Sequence, residues 1–159
     1  MGNEGGATPS AGAPVPPPVL FFAAILAGFG IRHFVPLEIP IPLLPARIAG
    51  GVLIAAGVVL GLAGTGALVR GGTTPFPHRP SRALVASGVY RLSRNPIYLS
   101  MAVLLAGVAV ALRSGGHLLM LVLLVIVFDR TQIKREERYL EGLFGEEYRR
   151  YASRVRRWL

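Results

Sequence analysis

The sequence contains no cysteine and few charged residues. Without cysteine, the chain can form neither disulfides nor thiolate-ligated zinc or iron–sulfur sites. Charged residues make up 16% of the 159 residues, whereas soluble domains carry about 25%. Hydrophobic residues account for 52%, and the mean hydropathy is +0.54. These values exclude an ordinary soluble globular domain and indicate a small membrane-embedded protein.

Acidic residues are also scarce, since eight acids stand against 17 basic residues and the net charge is +9. The three histidines, His33, His78 and His117, lie far apart and at no spacing typical of metal ligands. We therefore expect no metal site. We expect a lipid bilayer as the main partner of this chain, and no nucleic acid.

Long uncharged runs predict four transmembrane helices. The run at residues 48–69 spans roughly 33 Å as a helix, enough to cross a bilayer core of about 30 Å. Two further runs, residues 96–112 and 115–128, predict a helical hairpin that turns at Arg113, and a first span covers residues 19–35. The predicted fold is therefore an all-α integral membrane protein whose last two helices form a hairpin.

The remaining segments complete the predicted organisation. Residues 1–18 are rich in glycine, proline and alanine, which predicts a disordered tail before a single membrane domain at residues 19–159. Residues 70–95 form a long connection that contains enough apolar residues to fold. Residues 129–159 form a helical tail, because no glycine or proline interrupts the last predicted helix before Gly142.

The distribution of basic residues predicts the orientation. The 70–95 connection holds five of them and the 129–159 tail holds nine, which leaves three for the other side of the membrane. Cytoplasmic segments carry an excess of Lys and Arg. We therefore expect a multi-pass protein of the plasma or inner membrane, with the connection, the tail and both termini in the cytoplasm.

Two of the predicted cytoplasmic segments carry a specific pattern. Residues 88–98 read GVYRLSRNPIY, and residues 135–151, after the apolar hairpin, read REERYLEGLFGEEYRRY. In this order the segments resemble the isoprenylcysteine carboxyl methyltransferase family, which is related to the integral-membrane phospholipid N-methyltransferases. The match covers roughly residues 73–159. It implies a methyltransferase that uses S-adenosylmethionine and has no Rossmann sheet, in agreement with the absence of a G-x-G-x-x-G motif after a strand-like run.

The resemblance also implies which residues bind the cofactor. Glu136 aligns with the acid of the family's cofactor site, and a carboxylate suits the ribose hydroxyls or the methionyl ammonium group. Asn95 stands where the family has histidine, and it keeps a donor and an acceptor but does not titrate near neutral pH. The full implied set is Arg82, Ala83, Leu84, Val85, Tyr90, Asn95, Pro96, Ile97, Tyr98 and Glu136.

Part of this pattern has a purely structural alternative. Asparagine is a favoured N-cap and proline a favoured first helical residue, so Asn95–Pro96 is also typical of a helix start. Tyr98 is likewise typical of an aromatic anchor at the membrane interface. Both interpretations stay open at the level of sequence.

The implied acceptor-binding residues are Gln132 and Arg130. Gln132 stands where the family has an arginine that faces the substrate carboxylate, and an amide can bond a carboxylate but cannot neutralise it. This argues against a prenylated cysteine as the substrate. The acceptor is expected to be lipophilic or small, and its nucleophile can be a carboxylate, an amine or a thiol. No catalytic residue is assigned, because in-line methyl transfer depends mainly on positioning.

A second class of function fits the same composition. A non-enzymatic helical module could bind anionic lipid or a protein partner through its basic tail, at about 1 kcal/mol per basic residue. This alternative requires the arginines at residues 149–157 and gives no role to Glu136.

Overall fold

The computed structural model describes residues 15–73 and 83–159, and the backbone in these ranges is predominantly helical. A 3-10 turn covers Gly88–Arg91, and a π-helical stretch, Phe128–Ile133, joins the fourth and fifth helices without a break. The predicted all-α class is confirmed for this part of the chain. Its α-helices are α1 (Pro17–Phe34), α2 (Leu43–Arg70), α3 (Pro96–Ala111), α4 (Gly115–Val127), α5 (Lys134–Phe144) and α6 (Glu146–Arg154).

The helix boundaries differ from the predicted spans mainly in the first half of the chain. α1 begins at Pro17 rather than at residue 19, and α2 begins at Leu43 rather than at residue 48. Proline fits the first turn of a helix because no intrahelical partner waits for its missing N–H group. The predicted boundary of α2 was the last charge before the apolar run, but Arg47 lies inside the helix. Residues 1–14 of the predicted tail and residues 74–82 of the connection lie outside the described residues.

Three helices among the described residues are long and apolar enough to cross a membrane. They are α1, α2 and the continuous helix from Gly115 to Phe144. α3 is apolar but has 16 residues, which is about 24 Å and less than the thickness of a bilayer core. It packs against both α2 and α4.

Small residues allow α2 and α3 to approach at the level of the backbone. A Cβ atom at Gly50 would lie 2.5 Å from the Cβ of Ala111. A Cβ atom at Gly107 would lie 2.8 Å from the carbonyl oxygen of Gly50. Close contacts of this kind drive helix association in lipid, where there is no hydrophobic force between helices. Contacts of α1 with α4, of α3 with α4 and of α1 with α3 complete the bundle.

One end of the bundle, here called the loop end, is closed mainly by hydrogen bonds to backbone carbonyl groups. The α1–α2 loop meets the α3–α4 turn, where the Ile39 amide donates to the Arg113 carbonyl at 2.9 Å and the Gly115 amide donates to the Leu37 carbonyl at 2.7 Å. The Arg113 guanidinium also pairs with Glu38 at 3.0 Å. The opposite end, here called the site end, contains the start of α3 and the junction between α4 and α5.

Candidate functional site

Two of the predicted cofactor residues meet at the site end. Tyr98 lies in the first turn of α3 and Glu136 in the first turn of α5. The Tyr98 hydroxyl donates to Oε2 of Glu136 at 3.1 Å. The tyrosine ring packs edge-on against Phe128, with the ring centroids 5.0 Å apart. The structure therefore brings together the two segments that carry the sequence pattern.

The π-helical stretch anchors the helix that carries Glu136. Its two terminal residues, Phe128 and Ile133, are fully buried and belong to a core cluster with Tyr98, Leu105 and Leu124. π-Helical turns are rare and occur frequently at functional sites. The buried ends hold this part of the helix against the first turn of α3.

The side chains of Asn95, Pro96 and Ile97 face other parts of the protein. Asn95 occupies the N-cap position, but its side chain makes no capping hydrogen bond. Its Nδ2 donates instead to the carbonyl oxygen of Arg157 at 3.0 Å, so the capping interpretation is wrong for this side chain. Pro96 lies in the first turn as that interpretation requires, and Ile97 packs on Gly64 of α2, where a Cβ atom would lie 3.2 Å from Ile97 Cγ1.

Tyr90 is buried beside the Tyr98–Glu136 pair. It lies in the 3-10 turn, and its carbonyl oxygen accepts a hydrogen bond of 2.7 Å from the Tyr151 hydroxyl. Burial, together with the nearby carboxylate of Glu136, raises the pKa of the Tyr90 phenol well above its ordinary value. A phenol is uncharged at physiological pH even at its ordinary pKa, so Tyr90 adds a neutral polar group near the carboxylate.

A cavity of about 620 Å³ lies between the end of α2 and the segment that precedes the 3-10 turn. Small-molecule sites have volumes of about 300–1,000 Å³. Three predicted cofactor residues, Ala83, Leu84 and Val85, contribute to its wall, whereas Arg82 lies outside the described residues. The other lining residues are Ala67, Arg70, Gly71, Ala86, Ser87 and Gly88.

The two predicted acceptor-binding residues lie in different environments. Gln132 is 2% exposed, and its Nε2 donates to the carbonyl oxygen of Val15 at 3.2 Å. Its Oε1 is buried without a hydrogen-bond partner among the described residues. Arg130 is exposed. The structure therefore does not bring this pair together at one surface.

A charged cluster lies next to the Tyr98–Glu136 pair. The Arg157 guanidinium donates to both carboxylate oxygens of Glu137, at 2.6 Å and 3.0 Å, and to Asp129 at 3.1 Å. Arg94 pairs with Glu137 at 3.2 Å. The cluster joins the loop before α3 to the helix that carries Glu136. Among the described residues, no group of His, Cys, Asp or Glu side chains could hold a metal ion.

The chain around Arg157 also pairs with the loop through its backbone. The Arg94 amide donates to the Arg156 carbonyl at 3.0 Å. The Ser93 hydroxyl donates to the Arg157 carbonyl at 3.2 Å, and this same carbonyl accepts the bond from Asn95. The C-terminal segment, residues 155–159, is therefore folded back onto the residues that begin α3.

Comparison with known proteins identifies the family. Residues 45–147 match the model of the phospholipid methyltransferase family, and this range covers more than half of the chain. The chain belongs to the phospholipid methyltransferase family. The match includes both Tyr98 and Glu136, and it confirms the predicted relationship to the isoprenylcysteine and phospholipid methyltransferases. Together with the three long apolar helices, it identifies an integral membrane protein.

Individual members of this group are similar over part of the chain. An uncharacterized protein of Haemophilus influenzae is 43% identical over 63 residues, which are 40% of this chain and 100% of that protein. Protein-S-isoprenylcysteine O-methyltransferase B of Arabidopsis thaliana is 35% identical over 72 residues, 45% of this chain and 36% of that protein. Methanethiol S-methyltransferase 1 of Bradyrhizobium diazoefficiens is 42% identical over 67 residues, 42% of this chain and 22% of that protein. This chain therefore spans well under half of the two relatives that are named as methyltransferases.

The sequence did not predict that the C-terminal segment packs next to the candidate site. The sequence predicts only a helical tail, with lipid binding as an alternative, whereas Trp158 packs against the core cluster and its Nε1 donates to Asp129 at 3.3 Å. A signal was present, because Trp158 is the single tryptophan of the chain and follows a run of arginines. Tryptophan is highly buried on average, so a single tryptophan among charged residues favours a segment that packs against the protein.

Proposed function

We propose that this protein is an integral-membrane methyltransferase that transfers the methyl group of S-adenosylmethionine to a lipophilic or small acceptor at the cytoplasmic face. The hydrogen bond between Tyr98 and Glu136 carries the proposal, because it joins the two segments of the pattern at one point. Membership of the phospholipid methyltransferase family supports the reaction class.

The residues at the site end suit this cofactor. The Glu136 carboxylate can accept hydrogen bonds from hydroxyl or ammonium groups, and the tyrosine bond engages Oε2 and leaves Oε1 outside it. The cavity of about 620 Å³ is lined at positions 83–85 by Ala83, Leu84 and Val85, whereas Tyr98 and Glu136 are not among its lining residues. We assign Glu136, Tyr98, Tyr90 and residues 83–85 to the cofactor. When bound, S-adenosylmethionine supplies a methyl group on a cationic sulfur that retains the electron pair of the broken S–C bond.

The protein's contribution to the reaction is position and a low-polarity environment. Tyr98 orients the Glu136 carboxylate, and its ring together with Phe128 forms a buried apolar wall beside it. Methyl transfer from a sulfonium consumes charge, so a water-poor environment favours it. Alignment of the two reactants supplies most of the remaining acceleration. Catalysis by positioning and low polarity requires no acid–base pair, and none is assigned at this site.

The proposed acceptor is limited by Gln132. Its amide is buried and uncharged, so it does not neutralise a carboxylate as an arginine would. We therefore favour acceptors other than a prenylated cysteine, and the nucleophile can be oxygen, nitrogen or sulfur. Incubation of membranes with radiolabelled S-adenosylmethionine, followed by identification of the labelled lipid or small molecule, identifies the acceptor.

The proposed topology has four spans, with α3 as the short one and the site end in the cytoplasm. The basic residues support this orientation, because the loop end contributes three of the 17, Arg32, Arg47 and Arg113. The absence of native cysteine provides a clean test. In right-side-out vesicles, an impermeant maleimide should label Glu38→Cys at the loop end and leave Glu146→Cys in α6 unlabelled. The reverse labelling pattern contradicts the orientation.

Cofactor binding tests the proposed function directly. The purified protein should bind S-adenosylmethionine saturably in a calorimetric titration. Glu136→Gln and Tyr98→Phe should each weaken binding about tenfold or more, since the first replaces the carboxylate by a neutral amide and the second removes the hydrogen bond that orients it. The matched control is Glu141→Gln, a change of an exposed glutamate further along α5, which should bind within twofold of wild type.

The alternative of a non-enzymatic module predicts a different result. In that case the wild-type protein does not bind S-adenosylmethionine, and its affinity for anionic vesicles depends on the arginines at residues 149–157 and not on Glu136. Equal binding by wild type and by both site variants also contradicts the assignment of Glu136 and Tyr98.

A further inference from the structure

The C-terminal segment contacts both stretches of chain that form the candidate site. We infer that Arg157 is a positioning residue, which holds Tyr98 and Glu136 at their bonding distance by clamping the loop before α3 to the helix of α5. The inference deepens the proposed function and rests on it. It assigns a role in cofactor binding to Arg157, which makes no hydrogen bond described above to Tyr98 or to Glu136.

The first half of the clamp is the arginine side chain. The guanidinium of Arg157 bonds two acids of this helix. Asp129 lies in the π-helical stretch before Glu136, and Glu137 follows Glu136 directly. Adjacent residues on a helix point about 100° apart. A guanidinium that holds Glu137 on one side therefore fixes the rotation at which Glu136 points to Tyr98.

The second half of the clamp is the backbone of the same residue. The Arg157 carbonyl accepts hydrogen bonds from Ser93 and from Asn95. Asn95 lies three residues before Tyr98, so the bond fixes the first turn of α3 from which the tyrosine extends. Arg157 thus contacts both the loop that leads into Tyr98 and the helix that carries Glu136.

The cluster is shielded more than the other ion pairs of the tail. The side chains of Arg94 and Glu137 are 16% exposed and that of Arg157 is 31% exposed. Arg149 and Glu146 on α6, by contrast, are more than half exposed. Exposed pairs of that kind contribute little, whereas shielded pairs are screened less by salt. The arrangement also explains why Asn95 is turned toward the tail instead of capping α3.

The experiment compares Arg157→Ala and Arg157→Lys with a matched control, Arg156→Ala. The control removes an equal charge from the neighbouring exposed residue, whose carbonyl and not its side chain pairs with Arg94. Each purified variant is titrated with S-adenosylmethionine below its unfolding temperature, and its Tm is recorded in the same detergent. Arg157→Ala should raise the Kd about tenfold or more. Arg157→Lys should have an intermediate Kd, because a lysine cannot form the bidentate bond, and the control should stay within twofold.

A double-mutant cycle separates positioning from general stabilisation. If Arg157 acts through the tyrosine bond, Arg157→Ala should change the Kd of Tyr98→Phe by less than about threefold, since coupled residues are not additive. A fall in Tm with an unchanged Kd, or independent effects in the double variant, overturns the inference. If Arg157→Ala does not fold, Arg157→Lys decides by the same Kd criterion. Failure of the wild-type protein to bind contradicts the proposed function instead.

Discussion

The two ends of the bundle are closed by different interactions. At the loop end, backbone groups of Leu37 and Ile39 pair with the α3–α4 turn, and the accompanying Glu38 side chain is 64% exposed. At the site end, closure depends on side chains that are distant in sequence, with Arg157 and Glu137 at the centre. Backbone pairing tolerates changes of side chain, whereas a cluster of shielded charges depends on every member. We therefore expect the loss of a charged side chain to cost less stability at the loop end than at the site end.

The largest expected effect tests the packing near the loop end. Gly50→Ala should lower the free energy of unfolding by roughly 2–3 kcal/mol, because the new methyl group meets backbone and side-chain atoms of Ala111 at about 2.5 Å. The measurement is denaturant unfolding in detergent. The adjacent Gly51 has open space around its Cβ position, so Gly51→Ala should be neutral or stabilising. Equal losses in the two variants contradict the backbone-level contact between α2 and α3.

The charge cluster at the site end should give the next largest effect. Glu137→Ala leaves Arg94 and Arg157 without their shared partner, and we expect a loss of about 2 kcal/mol. Glu146→Ala removes one exposed partner of Arg149 and should cost less than about 0.5 kcal/mol. Thermal unfolding of both variants checks this ranking. A small effect of Glu137→Ala would remove the contrast between the two ends.

Alkaline pH should weaken the site end in a smaller and graded way. Burial and the nearby Glu137 carboxylate raise the pKa of the Tyr148 phenol to about 12, compared with about 10 in an unfolded chain. The stability contributed by the neutral phenol is therefore complete below pH 10 and is lost as the pH rises to 12. At pH 11, wild type should lose about 1 kcal/mol more than Tyr148→Phe, both measured relative to pH 9. Parallel pH profiles of the two proteins contradict this assignment.

The smallest expected effect concerns the ion pair at the loop end. Glu38→Ala should change stability by less than about 0.5 kcal/mol, because the exposed pair with Arg113 is screened by water. The backbone bonds from Ile39 and Leu37 remain in this variant. A loss above about 1 kcal/mol, measured by denaturant unfolding, would show that the Glu38–Arg113 pair contributes to closure of the loop end.

Local signals predicted the second half of the fold well. α3 and α4 begin at residues 96 and 115 as predicted, because a proline follows Asn95 and a glycine-rich turn follows Arg113. α2 extends beyond its predicted start since the helix continues through Arg47. A charge marks the edge of an apolar run and does not by itself end a helix.

The site was predicted less completely, because its polar contacts depend on the path of the whole chain. Tyr98 and Glu136 were identified through the pattern they share with a family, and the structure brings them together. Asn95 shows the limit of local reasoning. An N-cap asparagine accepts a hydrogen bond through its side-chain oxygen, but this side chain makes no capping bond and its Nδ2 donates to the carbonyl of Arg157. The bond between Glu137 and Arg157 crosses the turn at Gly145, where the backbone adopts a positive φ of 50°, and no local pattern indicates that turn's direction.

The π-helical stretch from Phe128 to Ile133 has a consequence for how this protein can change in evolution. A π-turn holds one residue more than an α-turn, so it offsets the angular register of everything that follows by about 100°. Deletion of one residue in this stretch would restore a regular helix. Glu136 would then rotate away from Tyr98, although neither of these two residues would be changed. The contact between Tyr98 and Glu136 therefore depends on the length of this stretch as well as on the two residues themselves.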